Sequence, residues 1–246
     1  DDDPLVRLAA VEVLERLPLN MRVRLAFPML EDPVRAVRME TGRLLAGIPV
    51  GDLPAEQRAL LDNALQEFIT AQQANAERPE ALANLGNLYA AQGKSTETIA
   101  AYNTAMALDA DFIPAYVNLA DFYRAQGNEA EAEKVLRQAI AIAPEEATVH
   151  HALGLSLVRQ KRTDEALQQF RQASRLNPDN ADYIYIYAVA MYSTGKQEKA
   201  VMLLQGAHNR HPQNREILNA LVAYQRDLGN EAAAENYARK LRALSR

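Results

Sequence analysis

Histidine, asparagine and tyrosine are the residue types through which this chain could do chemistry or recognition; cysteine is not among them. The sequence contains 0 cysteines, which excludes disulfides, thiolate metal sites, a thiol nucleophile and covalent haem attachment within it. Its 4 histidines fall into two pairs. His208 and His211 are three apart and can share a helix face, whereas His150 and His151 are adjacent and point to different faces. A catalytic zinc ion needs three convergent protein ligands, which neither pair supplies. His208 and His211 precede Pro212 at a helix end, where a cation suits the helix dipole, so a structural or solvated role is expected. Glu129, Glu131 and Glu133 form a charged helix face of the kind that is usually solvated. No glycine-rich phosphate loop and no Gly-x-Ser-x-Gly nucleophile turn occurs. The residues therefore predict no enzyme, no cofactor and no metal ion.

Recognition is better supplied than catalysis. Tyr183-Ile184-Tyr185-Ile186-Tyr187-Ala188-Val189-Ala190-Met191-Tyr192 is apolar on every side of a helix, a pattern normally buried all round. Asn84, Asn87 and Asn118 bring amides that donate and accept at once.

The elements that position these side chains follow an internal period of 34 residues. Small residues recur at Gly86, Ala120, Gly154 and Ala188. A second column runs Thr98, Ala132, Ala166, Ala200, Ala234, and a third Ala105, Ala139, Ala173, Ala207. Glycines stand at Gly93, Gly127, Gly195 and Gly229, with Lys161 replacing one, and Pro144, Pro178 and Pro212 close units. The glycines end a first helix and the prolines mark the exit from a second. The small columns let two helix backbones approach closely. Each helix pair exposes an apolar face that only its neighbours can cover, so the pairs must stack.

These units resemble tetratricopeptide repeats. The fullest match is Tyr116, Leu119, Ala120, Tyr123, Gly127, Ala132, Leu136, Ala139 and Pro144. Five units are placed at 79–112, 113–146, 147–180, 181–214 and 215–246. Ala110 departs from the usual proline, and Val222, Ala238 and Leu241 weaken the last unit, whose outer face (Arg239, Lys240, Arg242, Arg246) is polar enough to cap a stack. The resemblance implies an all-α fold, a right-handed α-solenoid of antiparallel helix hairpins. Ala64, Phe68 and Ala71 keep the register upstream, so 51–78 is read as a linker centred on 48–54 and a long helix over 55–78, half of a degenerate unit. Before it, Asp3-Pro4 with Val6-Arg7 and Asp32-Pro33 with Val37-Arg38 repeat at about 30 residues, and Leu14 pairs with Leu45. Asp caps a helix and Pro opens it, and residues 1–50 resemble HEAT-like repeats.

In the tetratricopeptide family the first helix of each pair lines a concave groove. The resemblance carries this over to Asn84 and Asn87, to Val117, Asn118, Asp121 and Arg124, to His151, Leu155, Val158 and Arg159, to Tyr185, Ile186, Val189 and Tyr192, and to Asn219, Arg226 and Asp227. Asn87 and Asn118 are spaced like the two asparagines of carboxylate-clamp members. The basic residues of that clamp are replaced by Ala83, Thr148 and Ala152, so a chaperone-tail clamp is not expected. Asn84 and Asn118, 34 apart, are candidates for a short ladder along an extended peptide, or are simply exposed polar residues. Tyr185, Ile186, Val189 and Tyr192, beside Leu155 and Val158, are expected either to bind a partner or to be covered by the chain's own packing.

The expected function is a scaffold that takes a protein or peptide in the groove. The alternative is an accessory docking domain of a larger redox protein. HEAT-like units followed by tetratricopeptide units, with the stretch Gln72–Glu80, resemble the C-terminal part of bacterial multihaem c-type cytochromes. The start at Asp1-Asp2-Asp3-Pro4, without Met, suggests a piece of a longer protein. Cytoplasm and periplasm both remain open, the latter following if the cytochrome resemblance holds. With 246 residues, 24% charged and a net charge of −5, strong attraction to nucleic acid or an anionic membrane is not expected. No apolar stretch approaches the roughly 20 residues of a membrane span.

Overall fold

The computed structural model describes residues 1–49, 51 and 53–244. Val50 and Asp52 of the expected linker and Arg246 of the expected polar end lie outside the described residues. All regular elements among the described residues are helices, and the fold class is an α-solenoid of helical hairpins. The chain divides into two compact units, residues 1–119 and 120–246.

The first unit holds α1 (Pro4–Leu14), α2 (Leu19–Ala26), a 3-10 turn (Phe27–Glu31), α3 (Arg35–Leu45), α4 (Ala55–Gln73), α5 (Pro79–Ala91) and α6 (Ser95–Leu108). Of the two Asp-Pro signals, Asp3 caps α1, accepting from Leu5 N at 2.8 Å, whereas Asp32 accepts from Val34 N at 2.8 Å in the turn before α3, whose N-cap is Val34. The repeated arginines tie successive elements together. Arg7 grips both carboxylate oxygens of Asp32 at 2.6 and 3.0 Å, and Arg38 grips Glu67 at 3.0 and 2.5 Å. The Arg7 guanidinium holds the Asp32 carboxyl below its ordinary range, against its burial. Val11, Val37, Leu45, Leu61, Phe68 and Leu88 form the core of this unit. Gly42 lets α3 lie close on α4, since a Cβ there would come 3.0 Å from that of Ala64.

Helix α4 ends at Gln73, short of the expected 78. Ala74 to Glu77 run as tight turns, and Arg78 is extended. The residue before a proline avoids helical geometry, and Pro79 opens α5, so one helix must stop before the next begins.

Helix α7 (Ile113–Ala125) spans the division between the units. The second unit continues with α8 (Glu129–Ile142), α9 (Ala147–Arg159), α10 (Thr163–Leu176), α11 (Ala181–Ser193), α12 (Gln197–Arg210), α13 (Arg215–Asp227) and α14 (Glu231–Ala243). Here α9 packs on α10, α11 on α12 and α13 on α14, while α8, α10 and α12 each pack on the helix that follows. Ala132, Ala166, Ala200 and Ala234 are buried, as are Ala139, Ala173 and Ala207. First helices end in left-handed residues: Gly127, Gly195 and Gly229 at φ 74°, 78° and 76°, and Lys161 at 61°. Asn180 and Asn214 cap α11 and α13 through their side chains.

The carboxylates of α8 depart from the solvated face expected of them. Glu129 accepts from Ser156 at 2.8 Å and from Arg159 at 2.5 Å, and Glu133 accepts from Gln160 at 2.8 Å and from Arg162 at 2.6 Å. Burial alone would raise both carboxyls; these partners hold them below the ordinary range. The row therefore joins α8 to α9 and the turn after it, and only Glu131, paired with Lys134 at 3.2 Å, keeps the surface role.

Candidate functional site

The histidines are placed for packing. His150 is buried, with Nε2 2.9 Å from the Pro144 carbonyl and Nδ1 2.7 Å from Gln169 Oε1. His208 is buried beneath Tyr237, edge-on at 5.6 Å between centroids, and its Nε2 accepts from Lys240 Nζ at 2.9 Å. Burial and then the Lys240 charge push its pKa below the ordinary value. This corrects the sequence expectation for that residue: His208 is a neutral acceptor, not a cation favouring the helix dipole. Among the described residues no group of three His, Asp or Glu side chains is placed to hold a metal ion, and no helix is long and apolar enough to cross a membrane.

In the first unit the asparagines bond to one another rather than standing as a free ladder. Asn118 Nδ2 donates to Asn87 Oδ1 at 3.2 Å, and Tyr102 Oη donates to the same oxygen at 2.6 Å. Asn84 instead donates to Gln72 Oε1 of α4 at 3.2 Å. The acceptor of Asn87 is thus engaged twice, which leaves its amide N–H groups for other partners. Ala83, where a clamp would carry a cation, is buried.

In the second unit, Asp121 and Arg124 are exposed and paired with each other at 3.1 Å. The remaining candidates of this unit are His151, Leu155, Val158 and Arg159 on α9, Tyr185, Ile186, Val189 and Tyr192 on α11, and Asn219, Arg226 and Asp227 on α13. His151 is half-buried, 4.9 Å from the Tyr183 ring, and burial lowers its pKa. Tyr183 Oη donates to Thr148 at 3.3 Å. Tyr192 stacks on Tyr224 with centroids 3.6 Å apart and planes within 11°, and its hydroxyl donates to Asp227 at 3.1 Å. Its phenol pKa is raised by burial and by that carboxylate. Tyr185, Ile186, Val189 and Leu155 are half-buried, and Val158 is 45% exposed. Ile184, Ala188 and Met191 are buried on the other side of α11. The helix that is apolar all round therefore has one buried side and one side partly open. Of the open side, Tyr192 is committed to α13 by its stack.

Sequence reasoning missed Tyr224 and Tyr183 as the partners that fix Tyr192 and His151. Tyr224 lies 32 residues after Tyr192, two short of the 34-residue period, which aligns Tyr192 with Arg226 instead.

Helix pairs joined by left-handed turns and stacked one on the next define an α-helical repeat array. Sequence profiles described as Tetratricopeptide repeat match residues 79–112, 111–179 and 157–223. Together they run over more than half of the chain, which belongs to the tetratricopeptide repeat family. Among solved structures, a crystal structure of MamA superposes with a TM-score of 0.57 at 19% identity, covering 65% of this chain and 94% of that one. YrrB, described as a TPR protein with an unusual peptide-binding site, superposes with a TM-score of 0.55 at 19% identity, covering 72% of this chain and 91% of that one. At such identities the likeness is one of fold. No curated protein sequence matches the chain.

Proposed function

We propose that the chain is a protein-interaction scaffold whose second unit binds a peptide or helix of another protein on the row formed by α9 and α11. The observation that carries this reading is the partly open side of α11. Tyr185, Ile186 and Val189, with Leu155 and Val158, present apolar side chains to solvent on a helix whose opposite side is already packed. Contiguous exposed apolar surface is the usual mark of an interaction site. Tyrosine is favoured there because it offers large contact area with little rotamer entropy to lose. The repeat family and the peptide-binding site named for YrrB support the same reading. Residues 1–50 are read as HEAT-like helices that extend the array. A role as an accessory docking domain of a multihaem cytochrome rests on the sequence resemblance and would use the same row.

The test is capture of partners from the source organism's extract by wild type and by the Tyr185→Ala/Ile186→Ala variant, with circular dichroism to establish that both are folded. Tyr192 is left intact because its stack on Tyr224 is structural. A protein retained by wild type and lost by the variant is the expected result. Equal recovery by both would move the interface off α11.

A further inference from the structure

We infer that the first unit carries a second binding site, a pocket for a peptide carboxylate and the apolar side chain next to it, assembled from the N-terminal helices and α5. A cavity of about 260 Å³ opens between α2, α3 and α5. Its polar lining is Arg22, Arg43, Glu15 and Asn87, two guanidiniums against one carboxylate. Arg43 is already occupied. It contacts Glu40 at 2.5 Å and Glu15 at 3.8 Å, so the one acidic group of the wall faces a cation of its own. Arg22 is not so occupied. Its Nη2 donates to the carbonyls of Glu15 and Leu17 at 2.8 and 3.3 Å, and its Nε is shielded from water without a hydrogen-bond partner. Backbone carbonyls orient a guanidinium without neutralising it, and an unpaired buried donor is costly. A carboxylate is the group that neutralises that charge, accepting from the guanidinium N–H groups that are not bonded to the two carbonyls.

Asn87 adds a second donor. Tyr102 and Asn118 occupy its carbonyl oxygen, which turns its amide N–H groups into the free function. The rest of the wall is apolar, with Leu19, Leu44 and Leu88 among its side chains, and the exposed Gly47 and Ala91 also line it. Donors on one side and apolar wall on the other fit a carboxylate attached close to an apolar side chain. Two sources share that chemistry: an acidic residue beside an apolar one, and a chain-terminal apolar residue. The site lies wholly within residues 1–119 and does not depend on the tyrosine row of the second unit.

The experiment follows backbone amide NMR signals of Gly47, Asn87 and Ala91 in the whole chain during titration with three acetylated pentapeptides. One is Gly-Ser-Gly-Ser-Leu with a free C-terminus, one is Gly-Ser-Gly-Asp-Leu amide, and the neutral reference is Gly-Ser-Gly-Ser-Leu amide. At least one of the two carboxylate peptides is expected to bind about tenfold or more tightly than the neutral one, as a hydrogen-bonded charge pair implies; which one binds identifies the source. Arg22→Gln keeps a donor for the two carbonyls but removes the charge, and Ala91→Glu places a competing carboxylate at the rim. Each is expected to weaken binding about tenfold, while Tyr185→Ala/Ile186→Ala leaves it unchanged. Equal binding of all three peptides, no binding of either carboxylate peptide, or full binding by folded Ala91→Glu protein would overturn the proposal. Should Arg22→Gln fail to fold, Ala91→Glu decides alone.

Discussion

At Lys161 a β-carbon sits where the neighbouring repeats place none. Its φ of 61° is left-handed, and at Gly127, Gly195 and Gly229 the same turn is made by glycine. The hydrogen bonds of the turn are complete, with Lys161 N on Val158 O at 2.9 Å and Arg162 N on Leu157 O at 2.9 Å. The strain is therefore local and of order 1–2 kcal/mol for a residue with a Cβ. Glycine would recover it but would lose about 0.5–1 kcal/mol to the greater entropy of its unfolded chain. Lys161→Gly is expected to stabilise the protein by about 0.5–1 kcal/mol, seen as a rise of roughly 2 °C in thermal midpoint by calorimetry. An unchanged or lower midpoint would mean that the lysine side chain makes a contribution of its own.

Between helices of a pair, the 34-residue columns hide a size code. Gly86 faces Tyr102 and Gly154 faces Phe170: a Cβ on Gly86 would come 2.6 Å from the Tyr102 ring, and one on Gly154 would collide with the Phe170 ring. One repeat further on, Ala120 and Ala188 have leucines, Leu136 and Leu204, at the corresponding positions. In the last pair the sizes invert, with Val222 and Ala238 in those places. The departures that seemed to weaken the last unit thus keep the total volume of the crossing. Gly154→Ala is expected to destabilise the protein by about 1–3 kcal/mol, the range for overpacking a filled site, and Phe170→Leu combined with it is expected to recover part of the loss. Chemical denaturation of the three proteins measures both, and additive losses in the double variant would break the size argument. This part of the fold was legible because glycine, alanine, proline and turn positions report on backbone approach and need no knowledge of distant contacts. The candidate site was less legible. The asparagine spacing showed a shared face but not that Asn87 and Asn118 bond to each other, and nothing in a 34-residue period announces that Arg22 and Arg43, upstream of the repeats, line a pocket with Asn87.

Across the whole molecule, the groups that folding perturbs and that titrate below neutral pH act in one direction. His151 and His208 both have their pKa lowered from an ordinary 6.5, in each case first by burial. The unfolded chain therefore binds protons that the folded chain refuses, and stability must fall as pH drops below about 6.5. Asp32, Glu129 and Glu133 have carboxyls held below their ordinary values by Arg7, by Arg159 and Ser156, and by Gln160, Arg137 and Arg162. Their contribution is present above the unfolded carboxylate range and is lost as pH falls through the folded values, so it adds a second, more acidic limb of the same sign. A plateau above about pH 7 with two descending limbs is expected for the unfolding free energy measured by urea titration at stepped pH. His208→Gln should remove part of the first limb only, because glutamine can still accept from Lys240 but does not titrate. Arg7→Gln should shallow the second limb only, because Asp32 then loses the guanidinium that depresses it. A protein whose stability rose on acidification from pH 7 to 5 would require protonated His208 to gain a partner in the fold. The only group bonded to its ring nitrogens among the described residues is the Lys240 ammonium, a donor that a protonated ring would repel.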